Sequence, residues 1–347
     1  MEPVSTHDPV GVAVIGAGNW GKNHVRTFAG LAGGRLLYCC DLSQDRLDPI
    51  AAQFPSVKTV TDFQAVLGDP RVKAVVVAIP GVHHFKLARE ALLAGKDLLV
   101  EKPLCLQSAH AEELVDLARR EGRILMVGHL LLYHPAVRKL KEIFDSGELG
   151  KVYYAYSQRV NLGTIRQDES ALWSFAPHDI SVLLYLLEDV PVKVSANGAS
   201  YITPGQEDVV FLSIEFPNGV IAHIHMSWLD PHKIRRMTFV GSKRMVVFDD
   251  ADPAEKIRIF DKGVSRSEFE TFGEFVSLRQ GDVNIPYIKM QEPLRLQALH
   301  FLECVKERRE PRSSGQQGLD VVRIIEAADA SLKSGGQPRL LSPATIP

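Results

Sequence analysis

The stretch GVAVIGAGNWG, residues 11–21, decides the fold of the first part of the chain. Residues 12–15 are apolar and predict a short buried strand, and the glycine pattern that follows opens a predicted helix. Asp41 closes the next predicted strand, about 20 residues after the last glycine. Three spaced glycines alone are a weak signal, but a strand, a helix and an acid in this order are typical of a dinucleotide-binding loop.

Each glycine of this loop has a geometric reason. Gly16 permits a tight turn, Gly18 lets the backbone approach a pyrophosphate, and Gly21 allows the helix to pack closely on the strand. The helix N-terminus, where Asn19 and Trp20 lie, is expected to supply amide donors to the phosphates. The structural alternative is an ordinary glycine-rich turn.

The carboxylate of Asp41 predicts which dinucleotide binds. It would accept hydrogen bonds from the adenosine ribose hydroxyls and would repel a 2′-phosphate, so it favours NAD over NADP. Arg46 lies close to Asp41 in the sequence and leaves NADP as the alternative. NAD is therefore the expected cofactor.

Short apolar runs alternate with helical patterns from residue 11 to about residue 129, which is typical of βαβ units that build a parallel sheet. Strands are predicted at residues 12–15, 36–40, 57–60, 74–79, 98–100 and 124–127. Covering helices are predicted at residues 83–94 and 108–121, with Ser108 as N-cap and Gly122 as C-terminal stop. The sequence thus predicts a dinucleotide-binding domain over residues 1–129.

The pattern changes in the second part of the chain, residues 130–347. After a predicted helix at residues 136–145, strand-like segments joined by turn residues predict a largely antiparallel sheet. These segments are residues 151–161, 193–201, 208–216, 220–228, 234–240, 245–248 and 257–260. Helical patterns return at residues 294–309 and 319–334, so we expect an α/β domain here too.

The charge balance excludes several classes of protein. The 347 residues include 40 Lys and Arg and 42 Asp and Glu, a formal net charge of −2. A nucleic-acid or membrane-surface binder would show a basic excess or a basic face, so we expect neither partner. The longest stretch of apolar residues, Gly and Pro, residues 74–82, is far shorter than the ~20 residues that span a bilayer.

Cysteine usage and the N-terminal residues favour a cytoplasmic protein. The four cysteines are too scattered for a disulfide framework, and none forms a C-x-x-C pair. They are expected to be buried thiols: Cys39, Cys40, Cys105 and Cys304. Residues 1–10 contain no apolar core preceded by Lys or Arg, so they predict a loose tail rather than a secretory signal.

Glu101-Lys102-Pro103 directly follows the fifth predicted strand. This places it at the carboxyl end of the parallel sheet, where ligands of open α/β folds bind. A lysine there can hold a substrate hydroxyl and stabilise the negative charge that builds on its oxygen as a proton leaves. Lys102 is therefore a candidate catalytic residue, and a solvated surface lysine is the alternative.

His178 is the candidate base. Pro177 fits the first position of a helix that continues through the apolar residues 180–187, which would leave His178 in the first turn. The positive end of a helix disfavours imidazolium, so the ring would stay neutral and could accept a proton. A capping or packed histidine is the alternative, and the sequence leaves open whether Lys102 or His178 is the formal base.

Three further patterns have a structural interpretation beside the functional one. His223 and His225 alternate along one strand, so both rings face one side, but no third ligand follows at a recognisable spacing and we expect no metal site. Residues 130–133 are expected in the core. Four arginines are solvated in the structural interpretation, although a diphosphate-bearing ligand would need one or two of them: Arg159, Arg166, Arg235 and Arg236.

With these motifs in view, the chain resembles the Gfo/Idh/MocA family of nicotinamide-dependent oxidoreductases almost end to end. Besides the glycine loop, the resemblance rests on Pro80, His84, Ala91-Leu92, Gly95-Lys96, Glu101-Lys102-Pro103, Gly128-His129, His178-Asp179 and residues 318–328. It implies a Rossmann domain followed by an open-faced α/β domain that assembles homodimers or homotetramers through its sheet. It also implies a cis peptide bond before Pro103, and NAD contacts from Pro80, His84, Glu101 and Lys102.

One position departs from the family pattern. Many members that oxidise free polyols or sugars carry an Asp four residues before the catalytic His, where this chain has Ser174. Residues 128–181 are instead similar to the branch that oxidises the 3-hydroxyl of UDP-N-acetylated hexoses or hexuronates, which feed 3-amino-sugar pathways of surface polysaccharides. This similarity implies catalysis by Lys102 and His178. It implies further contacts to a UDP-sugar substrate from Tyr156, Arg159, Asn161, Arg166 and Trp173.

Two alternative functions stay open. The first is a dehydrogenase for a free sugar or an inositol, which is distinguished by whether UDP competes with the substrate. The second is a non-catalytic dinucleotide sensor on the same scaffold, because a fold does not determine a function. Lys102 and His178 argue against the sensor.

Overall fold

A six-stranded parallel sheet forms the core of the first part of the chain in the computed structural model, which describes residues 9–167, 169–267 and 275–341. Its strands are β1 (Val10–Ile15), β2 (Gly34–Cys40), β3 (Lys58–Val60), β4 (Ala74–Val77), β5 (Asp97–Val100) and β6 (Leu125–Val127). Their order is β3-β2-β1-β4-β5-β6 with all neighbours parallel, which is the order of a Rossmann fold. The predicted parallel sheet is confirmed.

Five helices accompany this sheet: α1 (Asn19–Ala29), α2 (Gln44–Gln53), α3 (Phe63–Leu67), α4 (His84–Leu93) and α5 (Ser108–Arg120). The sequence interpretation had not assigned α2 and α3. It was wrong about the N-cap of α5, because Gln107 occupies that position, without a capping hydrogen bond from its side chain, and Ser108 is the first residue of the helix. Gly122 follows the end of α5 with a φ of 58°, so the predicted C-terminal stop is confirmed.

The second part of the chain contains a nine-stranded mixed sheet. Its strands are β7 (Val152–Val160), β8 (Lys193–Ala199), β9 (Val209–Glu215), β10 (Ile221–Ser227), β11 (Ile234–Gly241), β12 (Met245–Asp249), β13 (Ile257–Ser267), β14 (Phe275–Asn284) and β15 (Arg339–Leu340), in the order β14-β13-β12-β11-β7-β10-β9-β8-β15. Within the described residues of this nine-stranded sheet, only the pair of β7 and β10 is parallel. The prediction of a mostly antiparallel sheet is confirmed, although it had omitted β14 and β15.

The two faces of this sheet differ. Helix α6 (Pro135–Asp145) contacts β12, and helix α7 (Ala171–Leu187) packs on β9 and β10. Along β10, Ala222, Ile224 and Met226 are buried, whereas Ile221 and His223 are exposed. Because side chains alternate along a strand, the helices cover one face and the other face is open.

Two further helices, α8 (Pro293–Glu307) and α9 (Gly315–Leu332), follow the nine-stranded sheet in the chain. The chain divides into one unit with residues up to Tyr133 and Gln291–Val322, and a second unit with His134–Met290 and the residues from Arg323 onwards. The predicted division had assigned every residue after 129 to the second domain. Polar contacts explain the difference, since Arg308 Nη1 lies 2.7 Å from Asp97 Oδ2 and Ser313 Oγ donates to Val127 O at 2.7 Å.

All four cysteines are buried free thiols, as predicted. Burial raises the pKa of Cys39 and of Cys105 to about 12. Among the described helices, none is long and apolar enough to cross a bilayer. Residues 1–8, which hold most of the predicted N-terminal tail, lie outside the described residues.

Candidate active site

Three glycines shape the loop between β1 and α1. Gly16 has a φ of 100°, and a Cβ on Gly21 would lie 1.8 Å from Gly16 O. Packing within the protein therefore explains the glycine at both positions. Gly18 is different, because a Cβ there would meet no heavy atom within 4 Å, and α1 has no side-chain cap. The loop thus leaves open space beside uncapped helix amides, which fits a bound pyrophosphate.

Asp41 lies directly after β2, next to this loop. Its Oδ2 accepts a hydrogen bond from Ala17 N at 2.7 Å, and its Oδ1 accepts one from Ser43 N at 2.9 Å. Arg46 Nη1 stays 3.8 Å from Oδ2. The two backbone donors hold the carboxylate at the edge of the glycine loop, where it can also accept from ribose hydroxyls.

Lys102 follows β5 at the carboxyl end of the parallel sheet, as the motif predicts, and the Lys102–Pro103 peptide bond is cis. The Lys102 side chain is half-buried. Its neighbour Glu101 is buried, with Oε1 2.7 Å from His24 Nε2 and Oε2 3.3 Å from Lys102 N. The backbone that carries Lys102 is therefore anchored through a buried carboxylate.

His84, a predicted NAD contact, is enclosed by the protein. His84 is fully buried, and its Nδ1 and Nε2 lie 2.7 Å and 2.9 Å from the carbonyl oxygens of Pro103 and Ile79. Burial lowers the pKa of this imidazole, against the opposing effect of the carbonyl groups. His84 therefore holds two loops together, whereas Pro80 lies exposed at the carboxyl end of β4.

His178 lies in the middle of α7, not in its first turn. The helix begins at Ala171, so Pro177 is an interior residue and the expected influence of the helix N-terminus on His178 is wrong. Ser174 lies one turn before His178 on the same face of the helix. The imidazole is half-buried, and its neighbour Asp179 is fully buried.

Arg159 and Asp179 form a bidentate ion pair inside the second unit. Arg159 Nε and Nη2 each donate to the Asp179 carboxylate at 2.9 Å, and both residues are buried. The pair joins β7 to α7 directly beside His178. The structure thus gives Arg159, a predicted substrate contact, an internal partner.

The other predicted substrate contacts have different environments. Tyr156 is 42% exposed on the open sheet face and stacks on Tyr154, with ring centroids 6.4 Å apart. Since Arg159 points to the helix-covered face, alternation along β7 places Tyr156 on the opposite face, away from α7. Tyr156 therefore lies on a different sheet face from Arg159, and its predicted substrate contact stays a prediction. Asn161 and Trp173 are half-buried at the end of β7 and the start of α7.

All four arginines considered as diphosphate contacts have carboxylate partners within the second unit. Arg159 pairs with Asp179, Arg166 with Glu169, Arg235 with Asp250 and Arg236 with Asp249. His223 and His225 share one sheet face, as their alternation predicts, and their ring centroids lie 6.2 Å and 4.5 Å from that of Phe211. Among the described residues, no group of three or more metal-ligand side chains is placed to hold an ion.

Comparison with known proteins agrees with this architecture. Residues 10–129 match an oxidoreductase family with an NAD-binding Rossmann fold, and residues 137–247 match the Gfo/Idh/MocA C-terminal domain. The chain belongs to the Gfo/Idh/MocA oxidoreductase family. Its first unit is therefore an NAD-binding Rossmann domain, and the open space at Gly18 and the fixed Asp41 carboxylate fit that cofactor.

Relatives within the Gfo/Idh/MocA family act on different hydroxyl compounds. A scyllo-inositol 2-dehydrogenase of Bacillus subtilis is 26% identical over 93% of this chain and 94% of its own. A UDP-N-acetylglucosamine 3-dehydrogenase of Acidithiobacillus ferrooxidans is 28% identical over 68% of this chain and 72% of its own. Its crystal structure has the same fold, with a TM-score of 0.80 at 23% identity and coverage of 94% and 99%. The structure of GenD2 from gentamicin A biosynthesis, solved in complex with NAD, has a TM-score of 0.81 to this chain, at 23% identity and with 99% of each chain covered.

Sequence reasoning missed two residues of this Gfo/Idh/MocA site. His24 was not singled out, although its position beside Val25 and Phe28 on the buried face of α1 marks it as a polar group in an apolar stripe. Gly128 was noted for its motif only. A Cβ on Gly128 would lie 2.9 Å from Glu101 Oε2, so this glycine makes room for the buried carboxylate.

Proposed function

We propose that this Gfo/Idh/MocA oxidoreductase oxidises the 3-hydroxyl of a UDP-linked N-acetylated hexose or hexuronate to the 3-keto sugar. The observation that carries the proposal is the position of Lys102, which leaves β5 at the sheet edge that also carries the glycine loop and Asp41. Ligands of open parallel sheets bind at this edge. A substrate hydroxyl held by Lys102 would therefore lie near NAD.

The chemistry assigned to the two catalytic residues follows from their side chains. The Lys102 ammonium donates to the sugar oxygen and stabilises the negative charge that develops there. The His178 imidazole accepts the hydroxyl proton, a step in which Lys102 is the alternative base. NAD held by the glycine loop and Asp41 would supply the acceptor for the hydride of the sugar carbon.

The substrate class rests on the resemblance of residues 128–181 and on the relative that acts on UDP-N-acetylglucosamine. Ser174 replaces the Asp of many free-polyol dehydrogenases, which also favours an activated sugar. Asn161, Arg166 and Trp173 are the proposed substrate contacts, and Arg159 acts indirectly through Asp179. A bound diphosphate would share Arg166 with Glu169.

An inositol or free sugar is the second candidate substrate, because one relative is a scyllo-inositol 2-dehydrogenase. Competition separates the two candidates. UDP should inhibit oxidation of a UDP-sugar competitively with respect to the sugar. Oxidation of an inositol with no inhibition by UDP would favour the second candidate.

Turnover by two variants tests the catalytic assignment. With NAD and a panel of nucleotide sugars and inositols, we expect NADH absorbance to rise with a UDP-N-acetylated sugar. Lys102→Met and His178→Ala should each lower turnover by about 100-fold or more, the scale of acid-base catalysis, while NADH titrations stay near the wild-type value. Lys86→Met and His232→Ala, at exposed positions in the same two units, are the matched controls.

Near-normal rates for either catalytic variant would remove the role of that residue. A wild-type chain that binds NADH tightly but oxidises no compound of the panel would favour the dinucleotide sensor.

The proposal extends to assembly and location. The open sheet face exposes aromatic and aliphatic side chains, and we expect a second copy to cover it in a homodimer or homotetramer. Four buried free thiols fit the reducing cytoplasm, where the 3-keto product would enter 3-amino-sugar synthesis for surface polysaccharides.

A further inference from the structure

Two fully buried histidines flank the loop that carries Lys102. His24 comes from α1, which starts at the glycine loop, and His84 comes from the start of α4. His24 contacts the side chain of Glu101, one residue before Lys102, and His84 contacts the carbonyl of Pro103, one residue after it. The lysine therefore lies between two buried anchors.

The contact on the Glu101 side is specific. A carboxylate only accepts hydrogen bonds, so His24 Nε2 carries the proton that points at Glu101 Oε1, 2.7 Å away. Within the described part of the chain, His24 Nδ1 has no hydrogen-bond partner, so the Glu101 contact accounts for the polar bonding of this ring. The second carboxylate oxygen accepts from the Lys102 backbone N–H at 3.3 Å.

The surroundings leave this carboxylate little freedom. Glu101 is 8% exposed, and Gly128 approaches so closely that a Cβ there would lie 2.9 Å from Oε2 and 3.1 Å from Glu101 Cα. An anion in such a place needs a fixed donor, because an unpaired buried charge is costly. His24 supplies that donor from the helix that follows the glycine loop.

We propose that His24 is a positioning residue that, through Glu101, sets the direction of the Lys102 side chain toward the substrate hydroxyl. His84 braces the same loop from the Pro103 side by joining it to the carboxyl end of β4. This inference rests on the proposed role of Lys102 in turnover. It assigns to His24 a function that is separate from the binding of NAD.

A double-mutant cycle tests this coupling. His24→Leu should lower kcat by about 10-fold to 100-fold, the cost of a misplaced catalytic group, with the KM for NAD and the NADH affinity within about 3-fold of wild type. His24→Gln keeps one N–H near the Glu101 oxygen and should restore kcat to within about 3-fold of wild type. In the Lys102→Met background, His24→Leu should cost less than about 3-fold, because the group it positions is gone.

Thr27→Val is the matched control, since Thr27 is buried on the same helix and its hydroxyl has no partner among the described residues. It should leave kcat unchanged. If His24→Leu does not fold, His24→Phe, which keeps a ring and removes the N–H donor to Glu101, takes its place in the cycle with the same expected result.

Three results distinguish failure of this inference from failure of the proposed function. If the fold losses of kcat in His24→Leu and Lys102→Met multiply in the double variant, the coupling is overturned while Lys102 stays catalytic. A loss of NADH affinity at unchanged kcat would assign His24 to the cofactor loop instead. Near-normal turnover by Lys102→Met alone would remove the catalytic role of Lys102, on which the proposed mechanism and this inference both rest.

Discussion

Gly18 and Gly21 lie three residues apart, but their surroundings separate cofactor binding from folding. A methyl group on Gly18 would project into open space, whereas one on Gly21 would lie 1.8 Å from a backbone carbonyl. Gly18 also has ordinary backbone angles, with a φ of −71°, so alanine fits there without strain. Alanine at Gly18 should therefore weaken NAD binding and leave stability nearly unchanged, whereas alanine at Gly21 should lower stability.

Gly18→Ala should cost no more than about 1 kcal/mol of unfolding free energy, the range of an N-cap exchange. It should weaken NADH binding by about tenfold or more, equivalent to at least ~1.4 kcal/mol. Gly21→Ala should lower the unfolding free energy by about 1–3 kcal/mol or more, because backbone must move to admit the methyl group. Urea unfolding and NADH titration of the protein fluorescence measure the two quantities.

Gly30→Ala is the matched control at the other end of α1, where an added Cβ would make an ordinary 3.7 Å contact with Arg26 O. Both measurements should stay near wild type for this variant. A Gly18→Ala protein with undiminished NADH affinity would contradict the assignment of the open space to the cofactor.

At the scale of single residues, the sequence predicts the role of a local motif better than it predicts which distant side chain a residue contacts. The glycine loop and Asp41 could be found because their spacing is a local property of one strand, turn and helix. His24 could not, since its partner Glu101 is 77 residues away and nothing around His24 indicates a carboxylate. His84 was identified from its motif, but its burial between two carbonyl groups required the fold.

Helix α7 shows the same limit at the scale of elements. Its existence was predicted from the apolar residues 180–187, but its start was placed six residues late because proline favours the first helical position. Ala171 and Leu172 are fully buried and extend the helix before Pro177, so burial outweighs the hydrogen bond that proline removes. Tertiary packing of this kind has no local signature.

The ion pair of Arg159 and Asp179 anchors α7 to β7, and its removal should be costly. Asp179→Leu leaves a buried guanidinium without a partner and should lower the unfolding free energy by about 3–5 kcal/mol. Replacing both residues, as Arg159→Met with Asp179→Leu, should recover most of that loss because no charge stays unpaired. Urea unfolding followed by circular dichroism measures both variants.

Lys193→Met is the control, since the side chains of the Lys193 and Glu215 ion pair are 35% and 42% exposed and the pair should contribute no more than about 1 kcal/mol. An Asp179→Leu protein as stable as the control would show that the buried pair does not hold α7. Recovery of stability without recovery of kcat in the double variant would mean that the pair also positions His178.

For the whole molecule, the open face of the nine-stranded sheet is the feature that a single chain leaves unexplained. Tyr154, Tyr156, Phe211 and Ile221 lie on neighbouring strands of this face, each between 42% and 50% exposed. Large apolar patches on a soluble chain usually mark an interaction surface. Since a two-fold axis brings the same patch of two copies together, an exposed sheet face of this kind suits a homodimer.

A lysine placed in this face should disrupt the assembly. Tyr154→Lys would bury an unpaired ammonium group in the interface and should weaken association by about 100-fold, equivalent to ~2.7 kcal/mol. Light scattering after size-exclusion chromatography should give a mass near one chain for this variant at concentrations where the wild type is oligomeric. Tyr201→Lys, at a position 72% exposed outside the strands, should keep the wild-type mass. A monomeric wild type, or an unchanged mass for Tyr154→Lys, would contradict assembly through this face, because a charged residue is tolerated where a strand faces water and not where two sheets pack together.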